Sequence, residues 1–394
     1  MAATVGLSAN IAGRGRLANV DALRCLAMTA VVAQHAGLLP FGWTGVWLFF
    51  VISGFVVTLS LLGSGGAPAP RGGIAGFFRR RAARIVPIYY GYVVVAIVAT
   101  VAAGQTLDPL AVASLAGFFN NAAMIAGRGE IHGLPVGHLW TISTEMQFYL
   151  VYGLAFFVLP RRGVMALLAA LLLACPLLRA IVAARLAGLG LGAEPAAYAI
   201  YAGPLLHADA FAAGALLAFA HRAGALAAIA RPLAAAGLAA LVAYAACYIA
   251  INRIVLGAEG IDSVRNVVSG ILFGQHREVF LYCAINLASA GLVALAVTDD
   301  RLVRTLLRPR AVRRIGEISY GGYVYHAAAI SLTAAALGTL FAIGEVSSVP
   351  ERLLLFACSY GVTIAVAELS YRTIEARFLH RRPRALPTSL GTAA

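Results

Sequence analysis

Apolar runs of about 20 residues, separated by short polar or Gly/Pro-rich breaks, recur along the 394-residue chain. A hydrocarbon layer about 30 Å thick takes about 20 helical residues to cross, so each such run reads as a transmembrane helix. The runs near 20–39, 45–62, 85–104, 139–160, 164–186, 199–220, 232–251, 280–298, 319–342 and 352–371 predict about ten spans. Segment 110–126 is also apolar, but it is short and interrupted by Gly117, Asn120 and Asn121, which suits a re-entrant or interfacial piece. The expected architecture is an all-α polytopic transmembrane bundle: a leading segment 1–19, a membrane domain over 20–371, and a basic tail over 372–394. The first run leads into further spans and lacks a cleavage site, so it is not read as a signal peptide. Residues 63–73 read as a flexible Gly/Pro loop, and no internal repeat of the transporter kind is visible.

Composition supports this pattern. Apolar residues make up 61% and charged residues 12% of the chain, and the mean hydropathy is +0.86; soluble domains carry about 25% charged residues. The net charge of +14 is entirely arginine, because the chain contains no lysine. Such a charge can signal nucleic acid, but here the arginines fall mainly in every second loop. They sit at Arg14 and Arg16, from Arg71 to Arg84, at Arg161 and Arg162, at Arg222 and Arg231, from Arg301 to Arg314, and from Arg372 to Arg384. Cytoplasmic loops are the positive ones, so this side and both termini are expected inside. A crossing at 110–126 would put the later arginine loops outside. Cys25, Cys175, Cys247, Cys283 and Cys358 each stand alone in apolar segments and form neither a ligand spacing nor a disulfide framework.

Ionisable groups inside a bilayer cost about 2.5–3.5 kcal/mol each on insertion scales, which makes each a functional candidate. The deepest are Arg24, His35, Glu145, Asp209, His326 and Glu368. Arg24 and His35 are eleven residues apart, close to three whole turns, so they share a helix face and stand roughly 16 Å apart along it. Asp21 extends the stripe. The same spacing also suits a snorkelling arginine and a histidine hydrogen-bonded within the bundle. Glu145 shares a face with Thr141 and Tyr149 and is expected near the depth of His35. There a carboxylate would orient the imidazole and raise its basicity as a general base; the alternative is a packing carboxylate. Arg79, Arg80, Arg81 and Arg84, at the mouth of the third span, are either a topology marker or a guanidinium cluster that clamps phosphates. Ser53, beside Gly54, is a nucleophile candidate or part of a helix-packing notch.

The chain resembles the acyltransferase-3 family of integral membrane acyltransferases, which O-acylate bacterial cell-surface glycans and other carbohydrate-bearing acceptors. The likeness rests on Arg24 with His35, Trp47-Leu-Phe-Phe-Val-Ile-Ser-Gly-Phe55, Arg81-Ala-Ala-Arg84 with Ile85 and Pro87, and His138-Leu-Trp-Thr-Ile-Ser-Thr-Glu-Met-Gln-Phe-Tyr149. Gly316-Glu-Ile-Ser-Tyr-Gly-Gly-Tyr-Val-Tyr-His326 and the stretch from Glu368 to Phe378 complete it, so that about residues 17–380 are covered. The resemblance implies an acyl-CoA donor, usually acetyl-CoA, arriving from the cytoplasm, and no metal. It implies a hydroxyl-bearing carbohydrate or lipid-linked glycan as acceptor, and a multi-pass protein of the bacterial inner (plasma) membrane. It also implies that His35 and Glu145 are catalytic and that Arg81 and Arg84 bind donor. Two positions depart from the family pattern: His207 stands where arginine is frequent, and Ala376 replaces a usual proline. Without the esterase-like domain that some members carry, the acceptor is expected to be met by the membrane domain or a partner.

The resulting expectation is acyl transfer from a CoA thioester to an alcohol. His35 deprotonates the hydroxyl or is itself transiently acylated, and Glu145 orients it. Arg24 neutralises donor phosphate or the developing oxyanion. Arg79, Arg80, Arg81 and Arg84 hold the donor, and Asp21, Ser53, Tyr149, Asp209 and His326 are candidate pocket residues. The rival class is a proton-coupled transporter or exporter whose buried Arg, His and Glu relay protons.

Overall fold

Every regular element among the described residues is helical. The computed structural model describes residues 2–63, 73–264, 267–268, 273–298, 300–306, 309–341 and 346–379, with side chains from residue 19 onward except at 302, 304, 306, 341 and 379. The expected Gly/Pro loop, for 64–72, and the basic tail, for 380–394, lie outside the described residues. In chain order the helices are α1 (Ala2–His35), α2 (Thr44–Leu62), α3 (Gly73–Ala102), α4 (Pro109–Ala116), α5 (Asn120–Ile125) and α6 (Trp140–Val158). Then come α7 (Arg161–Gly188), α8 (Ala193–Tyr201), α9 (Ala208–Arg222), α10 (Leu226–Ile254) and α11 (Arg277–Val297). The last are α12 (Arg301–Leu306), α13 (Arg310–Glu317), α14 (Ser319–Phe341), α15 (Val349–Ser370) and, after a π-helical turn over Tyr371–Glu375, α16 (Ala376–Leu379).

Among the described residues, seven helices are long and apolar enough to cross a membrane: α2, α3, α7, α10, α11, α14 and α15, the last with its continuation to Phe378. The pair α8–α9 makes an eighth if it is one broken span. This makes the chain a multi-pass membrane protein, with fewer qualifying helices than the ten expected. The two other expected spans are helical, within α1 and α6. In α6, Glu145 and Gln147 dilute the apolar content. Segment 110–126 forms the short helices α4 and α5, of 8 and 6 residues, too short to cross a hydrocarbon layer.

The predicted single helix over 199–220 is instead bent by 64° between α8 and α9. Gly203-Pro204 explains the break: proline lacks an N–H and disfavours helical backbone in the residue before it. A buried guanidinium meets one carbonyl and one carboxylate there. Arg179 of α7 donates to Leu206 O and, at 2.8 Å, to Asp209 Oδ2, with the two side chains 0% and 4% exposed. Breaking such a pair from one side costs about 3–5 kcal/mol, because it strands a buried charge.

At the centre of the bundle, α2 and α9 touch backbone to backbone. A Cβ at Gly54 would collide with Phe211 O, and one at Gly214 with Val51 O, so each helix needs its glycine for this approach. Trp47, fully buried, stacks on Tyr282 of α11 at 4.9 Å and meets His207 edge-on at 4.9 Å. The outer helices behave oppositely: α7 and α10 turn Leu173, Leu177, Leu238 and Val242 outward, which costs nothing where the surroundings are acyl chains.

Candidate active site

Two cavities lie side by side in the bundle. The first, about 80 Å³, is lined by Arg24, Ser53, Arg81, Arg84, Glu145 and Tyr149, among others. The second, about 540 Å³, is lined by Gln34, His35, Glu130, His138, Trp140 and Tyr201, among others. Val46, Thr141 and Tyr323 line both, so one layer of side chains divides them.

The arginine cavity follows from an unbroken α3. That helix begins at Gly73, so the whole arginine run is helical, and Arg81 and Arg84, three apart, share a face. The Arg81 guanidinium lies 5.9 Å from the centre of the Tyr149 ring. Ser53 Oγ and Tyr149 OH both donate to Glu145 Oε1, which fixes this carboxylate between α2 and α6. Arg24 Nη1 donates to Asp21 Oδ1 at 2.6 Å. Tyr320 OH donates to Ile85 O at 2.9 Å and ties α14 to α3. Three guanidinium groups around one cavity suit an anionic ligand, since charge-assisted hydrogen bonds are roughly twice as strong as neutral ones.

Two imidazoles, His35 and His138, line the histidine cavity, and a third, His326, packs behind them without lining it. His138 sits in a 3₁₀ turn ahead of α6, with Nε2 2.9 Å from Val324 O. A carbonyl can only accept, so Nε2 carries the hydrogen; burial pushes His138 down to about 4 and leaves Nδ1 a bare lone pair. His326 is held the same way, Nδ1 2.6 Å from Tyr323 O. Neither His138 Nδ1 nor His326 Nε2 has a hydrogen-bond partner in the protein. The His326 ring centre is 5.1 Å from His35 and 4.9 Å from His138. Thr141 Oγ1 donates to Tyr323 OH at 2.8 Å across the dividing layer. Among the described residues, no group of three or more His, Cys, Asp or Glu could hold a metal ion.

The expected pairing of His35 with Glu145 is therefore corrected. Glu145 lies with Arg24 and Arg81 in the arginine cavity, while the neighbours of His35 are His326 and, through it, His138. The reason is axial. Glu145 is four residues beyond Thr141, about 6 Å further along α6, and that step carries it past the Thr141–Tyr323 layer. Of the arginine run, Arg81 and Arg84 line the cavity and Arg79 and Arg80 do not. Asp21 serves Arg24. Asp209 lines neither of these two cavities and pairs with Arg179, and Glu368 is held by Arg314 and Arg372 at 2.9 and 2.6 Å. Ser53 faces the cavity while Gly54 makes the notch, so each reading of Ser-Gly-Phe describes one of the two residues. Sequence reasoning passed over Arg179, His138 and Tyr323. An arginine well inside the apolar run 164–186 was signal enough for the first; nothing in the spacing separated the other two from packing residues.

The chain belongs to the acyltransferase-3 family: the family model, described as an acyltransferase domain, matches residues 17–371. The chain is 27% identical over 382 residues to the peptidoglycan O-acetyltransferase OatA of Listeria monocytogenes, covering 91% of this chain and 55% of that protein. It is 29% identical over 156 residues to the O-acetyltransferase OatA of Staphylococcus aureus, covering 35% of this chain and 24% of that one. The chain thus spans about half the length of the Listeria relative. No solved structure matches it.

Proposed function

We propose that this protein is an O-acyltransferase of the bacterial plasma membrane. It moves a short acyl group, by our reading acetyl, from cytoplasmic acyl-CoA to a hydroxyl of a carbohydrate or lipid-linked glycan at the far side. The reading rests on the two adjoining cavities of opposite chemistry, one cationic and one imidazole-lined, divided by a single layer at Thr141 and Tyr323. The donor's phosphates bind at the Arg79–Arg84 mouth, where guanidinium groups meet them bidentately. The slender pantetheine arm runs past Arg24 and Glu145 and presents the thioester at the dividing layer. His35 removes the acceptor's proton as the oxygen adds to the thioester carbonyl. The C–S bond then breaks, and the proton passes from His35 to the leaving thiolate. Arg24 offsets negative charge on the donor side. Glu145, anchored by Ser53 and Tyr149, acts along the donor's path rather than on His35.

The test is release of free CoA thiol from acetyl-CoA by the purified protein in lipid nanodiscs, with and without glycan fragments. Acceptor-dependent thiol release is the expected result. Acetyl-CoA left intact with every acceptor tried, by protein that binds it, would reject transfer.

A further inference from the structure

We infer that Glu375 is a positioning residue of the donor side: its carboxylate competes with the anionic ligand for Arg84 and keeps that ligand loosely enough held to leave. The inference deepens the acyl-CoA reading and rests on it for the ligand. Along α15 the buried positions Leu355, Ser359, Thr363, Ala367 and Ser370 follow the three- and four-residue steps of one helix face. At that spacing Ile374 comes next, yet Ile374 is 37% exposed and Glu375 only 5%. The π-helical turn over Tyr371–Glu375 explains the exchange, because its wider i→i+5 bonding advances the inward face by a residue. The turn thereby puts a carboxylate on the packed face in place of an apolar side chain, where an ionisable group is costly and marks a working position.

Glu375 Oε1 is buried without a hydrogen-bond partner. Gly321 of α14 leaves room for it, since a Cβ there would lie 3.2 Å from Oε1, and Gly321 directly follows Tyr320, a wall residue of the arginine cavity. The π-turn also packs on α3, the helix that carries Arg84. Of the charges that act on Glu375, that of Arg84 is the strongest and that of Arg314 is next. Arg314 is already engaged, by Glu317 at 2.8 Å and Glu368 at 2.9 Å. Arg84 is not: among the described residues it makes no hydrogen bond and no ion pair. Asp21, the other carboxylate within its reach, is taken by Arg24 at 2.6 Å, and Arg81 lies against the Tyr149 ring. Arg84 is thus the guanidinium of this cavity whose donors are uncommitted, and a donor phosphate is the partner it suits. The fixed negative charge of Glu375 pulls Arg84 the other way and repels the phosphate. A transferase that must discard free CoA in every cycle is served by such a competitor, because affinity differences of this kind fall mainly on release.

Calorimetric titration of protein in lipid nanodiscs with CoA, which binds without turnover, tests this in mildly alkaline buffer, where carboxylates are ionised. Glu375→Gln keeps the shape and removes the charge. It should bind CoA about tenfold more tightly, the scale of one neighbouring charge in a partly screened site, chiefly through slower release. Glu375→Met, apolar and of similar length, should tighten binding likewise and serves if the amide is not tolerated. Glu375→Asp restores the charge and should bind CoA as the native protein does. In an Arg84→Ala background, Glu375→Gln should change affinity by less than about twofold, because the effect runs through Arg84. Damage to packing at the π-turn would weaken binding rather than tighten it, so the sign of the change separates positioning from structure. CoA bound equally or more weakly by Glu375→Gln, or an undiminished gain in the Arg84→Ala background, would overturn the inference and leave the donor reading standing. CoA that binds none of these proteins rejects the donor reading, and this inference with it.

Discussion

The cavity of Arg24, Arg81 and Arg84 and the cavity of His35 and His138 share three wall residues but offer opposite polar groups. One presents cationic donors around a carboxylate already held by Ser53 and Tyr149. The other places His35, His138 and Glu130 among aromatic rings. A bundle in an apolar solvent cannot leave such groups unmatched cheaply, so each cavity's chemistry describes the ligand it is built to receive. The strongest way to break this division is a double mutant. His35→Ala should cut turnover by about 10²–10⁴-fold, the usual worth of a general base, with acetyl-CoA affinity unchanged. Glu145→Gln should lose activity through the donor side. Two groups in separate cavities act separately, so their losses should multiply in the double mutant. If the double is no worse than either single, His35 and Glu145 work as one unit after all.

The next effect is on folding. Arg179→Met removes the cation that satisfies both Leu206 O and Asp209 at the α8–α9 break. A loss of about 3–5 kcal/mol is expected, read as a large drop in thermal stability in detergent. Arg179→Met with Asp209→Leu should recover part of it, since no buried charge is then stranded. A double variant as unstable as the single would mean that the carbonyl contact, not the pair, holds the break.

How much of this was legible follows the same physics. Helix positions follow apolar runs, and seven of the ten expected spans are single helices long and apolar enough to cross, because length and hydropathy suffice there. The helix over 199–220 broke because Gly203-Pro204 outweighed the run. In the site, Arg24, His35, Glu145, Ser53 and Tyr149 stood out because polar groups in a membrane are costly and few. Their partners did not. That Glu145 meets Ser53 rather than His35 depends on where α6 crosses α2, a contact 92 residues apart in sequence. His138 lies outside any predicted span, so no argument from burial drew attention to it.

A smaller effect concerns the donor side alone. Arg81→Ala with Arg84→Ala should raise the KM for acetyl-CoA by about ten- to a hundredfold, as expected when charged hydrogen bonds worth about 1.5–3 kcal/mol are lost. Donor affinity of the native protein should fall as salt rises, because exposed charges are screened over about 8–10 Å near physiological ionic strength. Unchanged acetyl-CoA affinity in the double variant would return the cluster to a role in topology.

The smallest expected effect lies in the shared wall. Tyr323→Phe keeps the ring that separates the cavities and removes only its hydroxyl. Thr141 Oγ1 then loses its 2.8 Å contact but turns its single hydrogen to His138 O, 3.0 Å away. The stability loss should therefore stay below about 1 kcal/mol, with turnover reduced only a few-fold. Tyr323→Ala is the sharper probe of the same residue, because it removes the wall itself and joins the two cavities. Water from the larger cavity then reaches a thioester that the ring had shielded, so acetyl-CoA hydrolysis should rise relative to acyl transfer, with Tyr323→Phe keeping the native ratio. Measuring free acetate against acylated glycan gives that ratio directly. A Tyr323→Ala protein that transfers as cleanly as the native one would mean that the layer at Thr141 and Tyr323 does not divide donor from acceptor, and the two cavities would have to be read as one.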